Sequence, residues 1–225
     1  MHIFDAYAKL AESEINATII NGRYKFQEDD EKYILKDIVK KLMPQNSDMF
    51  LDIGCGAGNI SYEISKLVRN TSLCDNEKSL ERIRKLYLNN SFNFYPDNFL
   101  DADFGENKFD KILSYSVIQC LSSETEIFNF LDKIIDLISV KGRALIGDIP
   151  NKDKLNRFLE SERGKIFNKK WLDKKKKNGI KHTKIEEYIS KEHKFVQIDD
   201  KLILKIISYL RNKNFNAYIY EQTSQ

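Results

Sequence analysis

One stretch constrains this chain more than any other. Met49-Phe-Leu-Asp-Ile53 is a short apolar run, followed at once by Gly54-Cys-Gly-Ala-Gly58 and then by helical spacing over residues 59–68. A strand that hands over to a helix through alternating glycines is the turn of a βαβ unit around a nucleotide-like ligand. Glycine suits the turn because it accepts positive φ and lets the backbone approach a ligand closely.

The chain keeps this rhythm to residue 150. Residues 29–42 place apolar side chains at 33, 34, 35, 38, 39 and 42, a helical stripe opened by acids and closed by Pro44. Strands are expected at Thr71–Cys74, at Ser91–Tyr95, from Lys111 after Phe109-Asp110, and at Ala144–Ile149, with helices near 79–88 and 124–138. The alternation predicts an α/β fold: a doubly wound, Rossmann-like, mostly parallel sheet with helices on both faces. Ligands of such sheets bind beyond the carboxyl ends of the strands, where the winding reverses.

The 225 residues suffice for a single domain. Its expected parts are an N-terminal cap over 1–27, a cofactor-binding core over 28–150, an inserted lid over 151–198, and a final helix and strand over 199–225. The last part divides into a helix near 199–213 and a strand at 215–221. The lid is expected because the rhythm breaks after Pro150. Residues 163–184 then gather Arg163, Lys165, Lys169, Lys170, Lys174 to Lys177, Lys181 and Lys184 around Trp171, the only tryptophan.

Bulk properties exclude several classes. A net charge of +3, from 37 basic and 34 acidic residues, does not mark a nucleic-acid binder. No apolar run is long enough to cross a bilayer. The N-terminus lacks the basic region and apolar core of a signal peptide, which makes a cytoplasmic location the expectation. Cys55, Cys74 and Cys120 form no Cys-x-x-Cys pair, so neither a disulfide framework nor a zinc site is expected.

Two ligands compete for the glycine turn. The dinucleotide fingerprint Gly-x-Gly-x-x-Gly would put its third glycine at 59 or 61, and those positions are Asn59 and Ser61. Asp52 stands two residues before the first glycine; a carboxylate there suits an ammonium and a sulfonium better than a pyrophosphate. Asp75, at the end of the second strand, is placed to accept from ribose hydroxyls, as either ligand requires. Asp52 and the glycine frame favour S-adenosylmethionine over the cofactor of a dinucleotide oxidoreductase.

At these residues the chain resembles the class I S-adenosylmethionine-dependent methyltransferases. The resemblance is carried by Asp52-Ile-Gly-Cys-Gly-Ala-Gly58, Asp75-Asn76, Asp97-Asn98, Phe109-Asp-Lys-Ile-Leu-Ser114 and Val140-Lys-Gly-Arg-Ala-Leu-Ile146, and it spans about residues 30–150. It implies that Asp52, Gly54, Gly56 and Gly58 surround the cofactor, that Asp75 binds the ribose and that Asn76 lies beside the adenine. It further implies that Asp97 or Asn98 meets the adenine amino group, and that Ser114 and Tyr115 border the methionine end. Two departures stand out: Val-Lys-Gly-Arg replaces the family's frequent Pro-Gly-Gly, and one strand follows where the family's sheet ends in two, so a further C-terminal piece is expected.

The acceptor is read mainly by exclusion. Ser114-Tyr-Ser-Val117 after the fourth strand is not the Asn-Pro-Pro-Tyr of base-amino methyltransferases. Cys120, in Val-Ile-Gln-Cys-Leu, reads as a packed residue rather than the nucleophile of a cytosine-C5 enzyme. No acid follows the fourth strand, so no catalytic metal is expected. Asp148 and His182 are the candidate catalytic bases, each weighed against a turn cap or a surface histidine, with His193 a weaker one. Arg23, Tyr24, Gln119 and Asn151 are candidate acceptor-site residues. The basic lid favours a small anionic acceptor, and enzymes of this size resemble those of bacterial surface-polysaccharide pathways. Methylation of an oxygen, in preference to a nitrogen, of a sugar, nucleotide-sugar or phosphate-bearing metabolite is therefore expected. The rivals are an RNA methyltransferase using residues 163–184 and a partner subunit that keeps the fold without turnover.

Overall fold

The computed structural model describes residues 2–179, 182–189 and 195–222; Lys181 and His193 of the sequence reading lie outside them. Five strands form the sheet: β1 Met49–Ile53, β2 Asn70–Cys74, β3 Phe92–Tyr95, β4 Phe109–Tyr115 and β5 Ile138–Gly147. Their order is β3-β2-β1-β4-β5, with every neighbouring pair parallel. The chain starts at the centre, winds out through β2 to β3, and returns to lay β4 on the other side of β1. The winding reverses between β1 and β4, so the turn after β1 opens into the crevice.

Alternation along the strands sorts the core onto the two faces. Leu51, Ile53 and Ile112 pack with α6 (Glu124–Leu137) and α10 (Asp200–Asn212) through Phe130, Ile134 and Leu202. Phe50, Leu113 and Tyr115 face the other way, onto Ile34, Ile38 and Leu42 of α3 (Glu31–Leu42) and Ile64 of α4 (Asn59–Ser65). The Phe109-Asp110 pair of the family resemblance has a structural task. Asp110 accepts from the Met49 amide at 2.9 Å and from Ser139 Oγ at 2.6 Å, which ties the start of β4 to both neighbours and holds its carboxyl below the usual range.

The ends of the chain supply the remaining elements. The N-terminal cap holds α1 (Ile3–Ser13) and α2 (Ala17–Ile20), and a 3-10 turn, Lys25–Asp30, leads into α3. Past β2, α5 (Glu77–Leu86) opens on the Asn76 cap. Past β5 come α7 (Lys152–Glu160), α8 (Glu162–Lys177) and α9 (Lys184–Tyr188). Ile185 of α9 buries against Ile3, Ala6 and Leu10, so this insertion packs on the N-terminal cap. The strand expected at 215–221 does not form: residues 215–222 run without ladder bonds. They are held by side-chain bonds instead, Lys41 Nζ to the Glu221 carbonyl at 2.7 Å and Gln222 Nε2 to Tyr115 Oη at 2.8 Å. No described helix is long and apolar enough to cross a membrane.

Candidate active site

The carboxyl ends of β1, β2 and β4 surround a cavity of about 150 Å³, roofed by the N-terminal cap. Its floor is the glycine turn. Gly54, Gly56 and Gly58 all have positive φ, at +72°, +54° and +77°. A Cβ on Gly54 would lie 2.4 Å from Val117, and one on Gly56 would lie 2.5 Å from Asn21 Oδ1, so both positions need glycine for conformation and for room. Gly58 does a different job: it is the left-handed N-cap of α4, closely packed on Ile83, and it is off the cavity wall.

Asp75 fastens this floor. Its Oδ2 accepts from the Gly56 amide at 2.7 Å, and its Oδ1 accepts from the Asn76 amide and from Asn76 Nδ2, each at 2.7 Å. A carboxylate offers about four acceptor positions, so one more donor can be accommodated. Burial raises its pKa against the pull of these bonds. Asn76 is spent on the structure: it caps α5 by accepting from the Ser79 amide, and it does not reach the cavity. Asp97 and Asn98 both line the wall, with Asn98 Oδ1 accepting from the Leu100 amide at 3.1 Å.

Asp52 lines the cavity while almost fully buried, at 3% exposure. Ser61 Oγ donates to it at 2.5 Å, yet burial dominates and its pKa is pushed up to about 7. An isolated buried carboxylate is costly, and a bound ammonium or sulfonium would relieve that cost. Asp52, Asp75, Asp97 and the glycine turn therefore fit S-adenosylmethionine, a ligand carrying both cations and two ribose hydroxyls.

A second cluster forms where the cap meets the ends of β4 and β5. Arg23 Nη2 donates to Ser116 Oγ at 2.9 Å and to Asp148 Oδ2 at 3.3 Å; Ser116 Oγ donates to the same carboxylate oxygen at 2.5 Å. Arg23 Nη1 also faces Glu31 at 3.6 Å. Ser116 and Asp148 both hold left-handed backbone, φ +62° and +56°, which is uncommon outside glycine and costs conformational energy. Arg23 and Ser116 reach the cavity wall, with Asp148 behind them.

The remaining expected site residues are scattered. Ser114 is buried within the sheet with an unpartnered hydroxyl, so the serine at the site is Ser116, two residues later. Tyr115 does reach the cavity. Gln119 keeps its Oε1 buried and unpartnered but off the wall. Tyr24 stacks on Phe26 at 5.2 Å and meets Trp171 of α8 edge-on, so it holds the insertion rather than an acceptor. Asn151 caps α7 and bonds Asp200 at 2.7 Å. His182 is exposed, 3.7 Å from Glu186 and away from the cavity. Cys120 borders the cavity, but burial pushes its thiol up to about 12, which leaves it inert as a nucleophile.

No residue of the expected lid, 151–198, lines the cavity among those described. The break in rhythm after Pro150 predicts a lid over the crevice, but Trp171 packs on Tyr24 and Phe26 and turns the helix onto the cap. Sequence reading also missed what does close the cavity: His2, Tyr7 and Asn21 of the cap, and Glu126 at the start of α6. Asn21 is the informative one, accepting from the Ala57 amide at 3.0 Å and donating to Asn59 at 3.2 Å, which latches the cap onto the glycine turn. An Asn-Gly turn remote in sequence carries no local sign of such a task.

A doubly wound parallel sheet, a glycine turn after its central strand and an acid ending the next strand are the architecture of the class I S-adenosylmethionine-dependent methyltransferase fold, which the solved structures below share. Residues 45–200 match the family model described as a methyltransferase domain, and the chain belongs to that family. Its fold is similar to that of the N-methyltransferase NodS from Bradyrhizobium japonicum WM9, solved with S-adenosyl-L-homocysteine, at 13% identity and a TM-score of 0.54 over 65% of this chain and 72% of that one. Phosphoethanolamine N-methyltransferase 1 of Haemonchus contortus, in complex with phosphoethanolamine and S-adenosylhomocysteine, is similar at 16% identity and a TM-score of 0.58. That match covers 64% of this chain and 31% of the larger one. The DhpI complex with SAM and HEP is similar at 11% identity and a TM-score of 0.54, over 72% and 73%. No curated protein matches the chain.

Proposed function

We propose that this protein transfers the methyl group of S-adenosylmethionine to an oxygen of a small polar acceptor bearing an anionic group, such as a sugar, nucleotide-sugar or phosphate-bearing metabolite. The reading rests on the Arg23–Ser116–Asp148 cluster, strained in backbone and bordering the cavity beside the glycine turn. When bound, S-adenosylmethionine supplies an electrophilic methyl on sulfur, displaced in line with the bonding electron pair left on that sulfur.

The chain's own residues then have separable roles. Gly54, Gly56, Asp52 and Asp75 hold the cofactor, with Asp97 and Asn98 at its adenine end. Arg23 receives the anionic group of the acceptor. The proton lost by the acceptor oxygen passes through Ser116 Oγ to Asp148, which its 2.5 Å bond to that hydroxyl makes feasible. Most of the acceleration expected of such a site comes from positioning the two reactants in line.

A second reading, an amine acceptor, is favoured by the wall charges. Asp52, Asp75, Asp97 and Glu126 face Arg23 as the one Lys or Arg described there, and Arg23 is already shared by Glu31 and Asp148. Two of the similar structures are named as N-methyltransferases, one holding phosphoethanolamine, a molecule with both an anion and an amine. Polysaccharide biosynthesis as the pathway and the cytoplasm as the location rest on the sequence reading alone. A nucleic-acid acceptor gains no support at the cavity, because none of the described lid lysines lines it.

Calorimetry with S-adenosylmethionine and S-adenosylhomocysteine, followed by label transfer to phosphorylated sugars and to primary amines, tests the proposal. Micromolar binding lost in Asp75→Ala, with label on a hydroxyl, supports it. Label on nitrogen moves the assignment to the second reading. Binding without transfer to any acceptor favours the non-catalytic subunit.

A further inference from the structure

The helix pair α7–α8 carries a charge that the rest of the chain does not. Residues 152–177 hold eleven Lys and Arg against four Asp and Glu, a net +7 in a chain whose total is +3, which leaves the remainder at −4. The pair is also nearly bare: α7 buries no residue and α8 buries only Gly164.

One side of α8 is accounted for. Trp171 meets Tyr24 at 5.7 Å and Phe26 at 5.1 Å, Phe167 packs on Phe158 of α7, and Lys174 and Lys175 lie over the rings of Phe26 and Tyr24. At 100° per residue, Lys169, Lys170, Lys176 and Lys177 turn to the other side. None of these four has an ion-pair partner among the described residues. Uncovered aliphatic side chains accompany them: Leu155 of α7 is 54% exposed, Ile166 57% and Leu172 56%.

We propose that α7–α8 docks this protein on an anionic lipid surface. The four lysines meet headgroup phosphates and Leu155, Ile166 and Leu172 enter the boundary between headgroups and acyl chains. Basic residues gain from the surface potential of acidic lipid, and exposed aliphatics gain from the acyl boundary, so both halves of this unusual face are used. A nucleic acid would use only the charges. The one indole suited to stacking on a base is closed into the aromatic clasp, and the face carries four lysine point charges beside a single arginine, Arg163, rather than a set of the arginine forks that grip phosphate bidentately. The clasp holds Tyr24, the residue after cavity-lining Arg23, so the docked surface is anchored beside the crevice.

Vesicle co-sedimentation of the full chain, with no cofactor or acceptor present, tests this independently of the methyl-transfer reading. At low salt the protein pellets with phosphatidylcholine vesicles containing about 30% phosphatidylglycerol, stays in solution with phosphatidylcholine alone, and is released by about 0.5 M salt. Lys169→Glu, Lys170→Glu, Lys176→Glu and Lys177→Glu combined weaken binding more than about a hundredfold. Leu155→Ser, Ile166→Ser and Leu172→Ser combined weaken it roughly tenfold and leave a salt-sensitive remainder. Both variants keep the wild-type circular dichroism and melting temperature within a few degrees. Absence of pelleting, or pelleting indifferent to charge reversal, overturns the proposal. Tighter binding to a single-stranded RNA oligonucleotide than to vesicles, unchanged in the triple serine variant, assigns the face to nucleic acid and overturns it too.

Discussion

The crevice and the α7–α8 pair are both dense in charge, and they use it in opposite ways. At the crevice three charged groups are drawn out of water and held: Asp52 by Ser61, Asp75 by the Gly56 and Asn76 amides, Arg23 by Ser116, Asp148 and Glu31. On the helix pair Lys169, Lys170, Lys176 and Lys177 stand in solvent; α8 is anchored by its aromatic clasp through Trp171, and α7 by surface bonds such as Arg157 to Asp200. Burial makes a charge sensitive to its exact partner and to pH, whereas an exposed charge acts through the sum of its neighbours and is screened by salt. Substitutions should therefore be severe and specific at the crevice, mild and collective on the helices.

The comparison is sharpest at Gly54. Gly54→Ala puts a methyl 2.4 Å from Val117 on a backbone at φ +72°, so cofactor binding is lost and stability falls by about 3 kcal/mol, which calorimetry and thermal melting read together. Next in size, Asp148→Asn lowers the rate of methyl transfer about a hundredfold while the affinity for S-adenosylmethionine stays within twofold. A variant that transferred at the wild-type rate would remove Asp148 from the proton path.

The pH dependence of cofactor binding follows from Asp52, whose pKa is pushed up to about 7 by burial. The cation of the cofactor favours the ionised carboxylate, so below pH 7 binding must expel a proton. Affinity then falls roughly tenfold per pH unit from 7 downward, and Asp52→Asn flattens the profile. Stability runs the other way. A carboxyl raised from 3.8 makes the native state bind more protons than the unfolded chain, so the ligand-free protein loses stability as pH rises through 7 and is more stable at pH 5 than at pH 8.

The helix pair supplies the small effects. Trp171→Ala removes ring contacts with Tyr24, Phe26 and Phe167 and costs about 1–2 kcal/mol, a few degrees of melting temperature, without shifting the Asp52 pH profile. Lys169→Ser with Lys170→Ser changes stability by less than about 0.5 kcal/mol. A large loss from the lysine pair would break the contrast, because it would mean that these charges hold the fold.

What the sequence determined by itself is local. The glycine turn with Asp52 before it and Asp75 one βα unit later lies within about 25 residues, and period-2 and period-3.6 patterning placed the central strands and helices within a few positions. The misses follow from the same locality. Ser114 and Ser116 differ by whether β4 has ended, and residues 215–222 have the composition of a strand but make no ladder with the edge of β5.

Tertiary structure alone decided what closes the cavity. Arg23, Ser116 and Asp148 are 93 and 32 residues apart along the chain, and Asn21 latches to Ala57 and Asn59. These groups meet because the sheet reverses its winding beside β1 and the cap folds back over that point. The basic insertion shows the converse: its composition suited a lid, but burial of one indole against Tyr24 and Phe26 turned it onto the cap. Side-chain type sets what chemistry a residue can offer. Which residues share a cavity is set by long-range packing, and no window of sequence contains that information.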